Sequence, residues 1–332
     1  MKKALHIYAV NGKANSGDFF LGPATKFRFE KIVGESITWS NFDVRIKVTE
    51  KEISHFNKFD YIVLGGGGLF LPDTNPNMTS CWQWACPAEI MKKITTEVHI
   101  VSVGWNHFYG QDITMPDRGS NKSNPKRLQI FKNNIETLLQ ISQSFTMRHK
   151  GDVEELKKII DPELHDKVQF AFCPVVEFIE SKYKKDFKSG ELIAFEIKDD
   201  RPNRRYYKKS RKEFYLELLQ FIKHLIDSGE KIAVMSHDGS ASFARFLQSQ
   251  KIPFAYLNNT VANQDKIIEN YSKVKKLFCT AGHSQMTAYA LGLNFYSLIT
   301  HDKLKFFLED NNMLLENNFC LVNEQKLTEK YK

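Results

Sequence analysis

The sequence predicts an α/β protein of two domains, each a mostly parallel sheet with helices on both faces, the two sheets facing across a cleft. Length is the first observation: 332 residues exceed one ordinary core and suit two domains of about 150 residues each. Alternation is the second. Apolar runs of strand length take turns with helical patterns along most of the chain, as in parallel strands joined by helical crossovers. The third is the stretch KKLFCTAGHSQMTAYALGLNFYSLITHD, from Lys275 to Asp302, which holds strand, turn, helix and strand in immediate succession.

In the first half, residues 4–10 read as a strand, 23–32 as a helix opening at Pro23, and 61–64 as a buried strand. Residues 87–95 follow as a helix, 98–103 as a strand, 126–139 as a helix, 144–147 as a short strand and 152–160 as a helix. A charged stretch at 180–190 separates a second series, so the expected domains are 1–180 and 181–332, with a last helix returning toward the first. The second series begins with a strand over 192–197. Helix 211–227 comes next, with Phe214, Leu218, Phe221, Ile222 and Leu225 on one face. Strand 231–235, helix 240–250, strand 254–257 and helix 265–273 lead to the Lys275 unit. There, strand 277–280 turns through Ala281-Gly282-His283-Ser284 into a helix with Met286, Tyr289, Ala290 and Leu293 along one side, and strand 295–299 closes the unit.

Composition excludes several classes. With 42% hydrophobic and 13% aromatic residues, the chain can bury substantial cores and is not disordered. No apolar run approaches the roughly 20 residues that span a bilayer. The N-terminal apolar run carries His6 and Tyr8 and lacks a small-residue cleavage site, so it reads as a strand, and the expected location is the cytoplasm. Five scattered cysteines suit free buried thiols better than disulfides or a metal site. The net charge of +8 is concentrated in Lys182, Lys184, Lys185, Lys188, Arg201, Arg204, Arg205, Lys208, Lys209, Arg211 and Lys212. That run is either a solvated face or a contact for a phosphorylated substrate or an anionic membrane surface. Tyr206 and Tyr207 interleave with it, yet no nucleic-acid module surrounds them, so a nucleic-acid partner is not expected.

Polar turns at strand ends carry the candidate chemistry. His283 would sit at a helix N-terminus on the carboxyl edge of a sheet, where unpaired amides favour an anion and an imidazole can move a proton near neutral pH. A turn-packing histidine is the plainer alternative. Asn15-Ser16-Gly17-Asp18 follows the first strand. Small residues there let a ligand approach the backbone, and Asp18 is either a proton acceptor or a turn cap. Gly65-Gly66-Gly67-Gly68 would form a stripped loop after the strand over 61–64. It is not the dinucleotide fingerprint, because Phe70 stands where the third glycine belongs. Trp82, Trp84 and Trp105, with Asn106 nearby, fit either a sugar-stacking surface or domain packing. Arg148 offers a bidentate anion contact after the strand over 144–147. Asp199-Asp200-Arg201 and His237-Asp238-Gly239-Ser240 repeat the placement in the second half. Convergence of such turns is worth more than any one of them.

Taken together and in order, NSGDFFLGP, GGGGLF, SCWQW, VGWNHFYGQ, FTMRHKGDVEELKK and GHSQMTAYALGLNFYSLITHDKLKFFLED resemble the polysaccharide pyruvyl transferase family, over roughly residues 1 to 310. The resemblance implies two Rossmann-like domains similar to the GT-B glycosyltransferases, with the acceptor on the first domain and the donor on the second. It also implies transfer of the enolpyruvyl unit of phosphoenolpyruvate to a sugar hydroxyl pair, giving a pyruvate ketal on a surface-glycan precursor. His283 falls on the family's active-site histidine and Arg148 on the arginine after the last strand of the first half. One departure stands out: the family commonly has an arginine two positions before that histidine, and here the residue is Ala281.

On this reading Arg148, Arg201, Arg204 and His237 clamp the donor with the helix start at Gly282, Ser284 and Gln285. His283 is the general acid and Asp18 the base for the attacking hydroxyl. Asn15, Gly17, Gly66, Gly67, Trp82, Trp84 and Asn106 meet a sugar or lipid-linked glycan acceptor, with peripheral contact at the inner membrane surface. The scheme requires no metal and no cofactor beyond phosphoenolpyruvate as donor substrate. Two other classes fit the residues as well: a GT-B glycosyltransferase using a nucleotide sugar, and a non-catalytic glycan- or nucleic-acid-binding protein.

Overall fold

The structure, a computed structural model, describes residues 1–10, 17–71, 75, 77–110, 124–206, 209–236, 241–261, 263–313 and 319–321. Its internal contacts divide the chain into two compact units. The first comprises, of the described residues, 1–10, 21–107 and 124–174; the second comprises 17–20, 108–110 and 175 onward.

In chain order the first unit holds β1 (Lys2–Tyr8), α1 (Asp18–Val33) from Leu21 on, β2 (Ile37–Asp43), α2 (Glu50–Phe56), β3 (Tyr61–Phe70) and α3 (Ala88–Met91). It continues with β4 (Glu97–Trp105), α4 (Pro125–Ile141), β5 (Ser142–Met147), α5 (Lys150–Lys157) and β6 (Val168–Phe170), after which α6 (Pro174–Tyr183) leads out. The sheet order is β2-β1-β3-β4-β5-β6, with every ladder parallel. Sequence pattern missed β2, α2, β6 and α6. In β2 only Ile37 is buried, so an edge strand shows no apolar run, and α2 announces itself instead by a capping box between Thr49 and Glu52.

Two local outcomes differ from expectation. Helix α1 starts at Asp18, and Pro23 lies inside it rather than at its head. A proline there cannot donate to the carbonyl four residues back, and the orphaned Phe19 carbonyl instead accepts from Gln264 Nε2 at 2.9 Å. Strand β3 does not stop at Leu64 but runs through all four glycines to Phe70. The reason is crowding inside the first unit. A Cβ on Gly65 would lie 3.1 Å from the Val101 carbonyl carbon of β4 and closer still to its oxygen. Gly66 and Gly67, at φ +88° and +105°, would meet Thr25 Oγ1 at 3.0 Å and Leu21 Cδ1 at 3.1 Å, both on α1. Gly65→Ala is therefore expected to cost at least about 3 kcal/mol, the upper range for overpacking, because backbone and not a flexible side chain must yield. Urea unfolding measures it; a cost below about 1 kcal/mol would show that β3 and β4 have room to part.

The second unit follows with β7 (Leu192–Glu196), α7 (Pro202–Arg205), α8 (Arg211–Asp227), β8 (Ile232–Met235), α9 (Ser242–Ser249) and β9 (Ala255–Leu257). Next come α10 (Gln264–Ser272), β10 (Val274–Cys279), α11 (Gly282–Leu291), β11 (Asn294–Ile299), α12 (Asp302–Asp310) and β12 (Phe319–Leu321). Its sheet runs β12-β11-β10-β7-β8-β9, again with parallel ladders. Numbered within the unit, the order is that of a doubly wound fold, third-second-first-fourth-fifth-sixth. The direction of winding therefore reverses between β7 and β10, and in open parallel sheets the crevice at the carboxyl ends of that pair is where ligands bind. Helix α8 matches its sequence reading, fixed by a capping box of Ser210 and Glu213 at its head and an apolar face packed on the sheet. Helix α11 ends on Gly292 at φ 71°, a left-handed cap that suits glycine. Among the described residues no helix is long and apolar enough to cross a membrane.

Candidate functional site

The carboxyl ends of β7 and β10 meet in the second unit. Their register pairs Glu196 with Cys279, which brings the Glu196 side chain under the turn that opens α11. Glu196 is buried, 1% exposed. Its Oε2 accepts from the Ala281 and Thr280 amides at 3.0 and 3.2 Å. A carboxylate of the protein thus occupies the amides just before α11, and the turn is held from beneath. The Thr280 hydroxyl accepts from the Lys198 amide at 2.7 Å, tying the loop after β7 to the same turn. The amides of the first helical turn, from Gly282 onward, stay at the positive end of the helix dipole.

His283 stands in that first turn, and Gly17 lies directly against it. A Cβ on Gly17 would fall 2.7 Å from His283 Cβ and nearer still to the ring. The segment around Gly17 is held in place by Gln264 through the Phe19 carbonyl, and Asp18 follows at once, partly exposed, as the first residue of α1. The structure therefore brings His283, Gly17 and Asp18 into one neighbourhood. Gly282 borders the Lys303 stem, whose Cε would lie 3.2 Å from a Cβ built there.

Beside this turn, the loops after β7 and β11 form a cationic cluster. Arg205 is 1% exposed; its Nη1 donates to Thr300 Oγ1 at 3.1 Å and meets His301 Nδ1 at 3.2 Å, while Nη2 binds Asp200. Burial works against the Asp200 charge, but Arg205, Lys198 and Arg201 together hold its carboxyl well below the usual range. Burial, with Arg205, Lys303, Arg201 and Lys198 around it, pushes His301 well below an ordinary histidine, so it stays neutral and Nδ1 accepts from Arg205. The Phe108 ring packs on His301 at 4.3 Å and faces both Arg201 and Arg205. Arg201 takes a left-handed backbone at φ 54° as it opens α7, and Arg205, the last residue of that helix, is buried.

Several expected contacts are corrected by burial. Trp82 and Trp84, like Trp105, are 0% exposed. They belong to the first unit's core, where Trp82 donates to Asn134 Oδ1 at 2.6 Å and packs edge-on to Phe70, so they offer no face to a sugar. Ser284 and Gln285 also point inward: Ser284 bonds the buried Tyr271 phenol, and Gln285 Nε2 donates to the Leu304 carbonyl at 3.1 Å, fastening α11 to α12. Arg148, 1% exposed, lies in the first unit over Gly104, with Nε 4.0 Å from Asp152 Oδ2. Arg201 is exposed and donates from Nε to Asp200 at 2.8 Å; Arg204 is partly buried in α7. The close approach of Gly66 and Gly67 is to α1, and Asn106 packs on Gly68 at the same end of the first sheet. Asn15 and His237 lie outside the described residues. Sequence reading named Arg205 only within the basic run and passed over Glu196, His301 and Lys303. Glu196 left a signal of its own, as a carboxylate ending the otherwise apolar strand LIAFE.

No protein-family model and no curated protein matches the chain. Solved structures do. A putative UDP-N-acetylglucosamine 2-epimerase from Listeria monocytogenes aligns over 99% of this chain and 85% of its own, with TM-score 0.55 and 12% identity. S. aureus MnaA with UDP aligns over 100% and 86%, at 0.53 and 11%. The UDP-GlcNAc 2-epimerase of Neisseria meningitidis, bound to UDP-GlcNAc, aligns over 98% and 88%, at 0.51 and 13%. The fold is thus the GT-B type, two Rossmann-like domains with parallel sheets.

Proposed function

We propose that this protein is an enzyme of glycan metabolism that takes a nucleotide sugar, its phosphates held at the carboxyl ends of β7 and β10, with His283 moving the proton. The observation that carries this reading is His283 in the first turn of α11 at the winding reversal, with a side-chain-free Gly17 against it. An anion at that helix start meets the positive end of the α11 dipole, and the Lys303 stem beside Gly282 and the Arg205 cluster keep the surroundings cationic. The similar solved structures support a sugar nucleotide, since two of them hold UDP-GlcNAc or UDP. In the reaction an acceptor hydroxyl or a sugar carbon must lose a proton; His283 takes it and, once protonated, returns one to the leaving oxygen, with Asp18 as the neighbouring carboxylate.

Pyruvyl transfer from phosphoenolpyruvate is the second reading, favoured by the ordered motifs and by the family position of His283. Against it stands Ala281, a methyl group where a bidentate guanidinium would hold the donor. Arg201, the expected substitute, is engaged with Asp200. A thermal-shift panel of UDP, UDP-sugars and phosphoenolpyruvate separates the two, because a ligand at 100 times its dissociation constant adds about 2.7 kcal/mol to stability. Stabilisation by UDP-sugars, weakened in His283→Ala, is the expected result. Stabilisation by phosphoenolpyruvate alone would overturn the nucleotide-sugar reading in favour of the second.

A further inference from the structure

The basic run of the sequence is only partly absorbed by the site above. Arg211 and Lys212 open α8, and the fold carries them toward Arg245 on α9, a residue 34 positions away. Helices α8 and α9 follow the adjacent parallel strands β7 and β8, so both begin at the same edge of the sheet. Between them runs a groove of about 520 Å³ lined by Arg211, Lys212, Tyr215, Ser242, Arg245 and Phe246, a size suited to a small ligand. Strand β7 separates it from β10 and His283, because β8 and β10 flank β7 on opposite sides.

Nearby carboxylates are already engaged. Asp199 accepts from Arg211 Nη1 at 3.1 Å, Glu217 pairs with Lys209 at 2.8 Å, and Glu213 closes the helix cap with Ser210. Among the described residues neither Lys212 nor Arg245 has a carboxylate within ion-pair distance, and the charged side chains that line the groove are Arg211, Lys212 and Arg245. Burial and the adjacent Asp199 carboxylate push the Tyr215 phenol up, so it stays protonated beside that carboxylate. The Tyr215 and Phe246 rings, 5.1 Å apart, form an apolar wall, and the Ser242 hydroxyl adds a further polar group. Cations, hydroxyls and rings together match a phosphate carried on an organic body.

We propose that the groove between α8 and α9 is a second anion site, separate from the donor site, that binds a phosphate group carried either by a soluble metabolite or by a lipid headgroup. The nucleotide-sugar reading and this one stand independently. The test uses the full chain and inorganic pyrophosphate as probe, titrated calorimetrically into wild type and Lys212→Ala/Arg245→Ala. Both residues are exposed, so the fold is expected to survive. Pyrophosphate affinity should fall about tenfold or more in the double variant, and the wild-type affinity should weaken with added salt. UDP affinity should be unchanged. Equal pyrophosphate affinity in the two proteins overturns the proposal, and so does a parallel loss of UDP binding, which would assign the cations to the donor site. Flotation with phosphatidylglycerol vesicles against phosphatidylcholine vesicles distinguishes the sources. Lipid binding that the double variant loses marks a headgroup, and pyrophosphate binding without vesicle binding marks a soluble phosphate.

Discussion

Gly17→Ala is expected to lower turnover at least about a hundredfold, as deeply as His283→Ala, although position 17 carries no functional group. Removing a proton-transfer group typically costs two to four orders of magnitude. The glycine variant should reach that range by displacement, because the new methyl would fall 2.7 Å from His283 Cβ and closer to the ring. Something must move, and the imidazole is what stands there. A shift of about 1 Å in a proton-transfer group is enough for a hundredfold loss. The measurement is kcat for Gly17→Ala, His283→Ala and the double variant with the donor that the ligand panel identifies. If both act through one imidazole, the double variant is no worse than His283→Ala alone. A double variant that loses the product of the two factors would show that Gly17 acts elsewhere and would sink the arrangement.

Acidification is expected to destabilise the first unit through His6. This residue of β1 is 0% exposed, its Nε2 lies 3.1 Å from the Gly65 carbonyl, and its ring stacks on Tyr8 at 4.2 Å. Burial pushes its pKa down from 6.5 to about 3, against the pull of the Gly65 carbonyl and helped by Lys26. With Nε2–H donating to Gly65, a second proton would have to sit on Nδ1, which has no acceptor among the described residues. The unfolded chain takes that proton near 6.5 and the folded one does not until about 3. The folded state is therefore undisturbed by this group above 6.5, and stability falls between 6.5 and 3 by about 1.4 kcal/mol per pH unit. Between pH 7.5 and 4.5 the loss from His6 should approach about 2.7 kcal/mol. Urea unfolding of wild type and His6→Gln at both pH values checks it: the variant should lose less on acidification by that amount. Equal losses would mean that His6 is already charged in the folded protein, or that water reaches it.

Most of the fold was legible in the residues themselves. Buried parallel strands are read as continuous apolar runs, and amphipathic helices as a 3.6-residue period. Segments such as 98–103, 192–197, 211–227 and 295–299 therefore announced β4, β7, α8 and β11 within a few positions. His283 at a strand-to-helix turn was legible for the same reason, since a turn between an apolar strand and a helix places its residues at the carboxyl edge. What the pattern could not supply was anything set by neighbours distant in sequence. Four glycines look alike whether they meet a ligand or α1, and only packing showed that β3 continues through them. Tryptophans beside amides read equally as sugar platform or core, and burial decided for core at Trp82 and Trp84. Local sequence determined where the chain would be strand, helix or turn, because periodicity and capping act over a few residues. The tertiary structure decided which turns share one sheet edge and which side chains face one another. Glu196 beneath Ala281, Gly17 against His283 and Arg245 beside Lys212 are pairings across tens to hundreds of residues that only the folded chain creates.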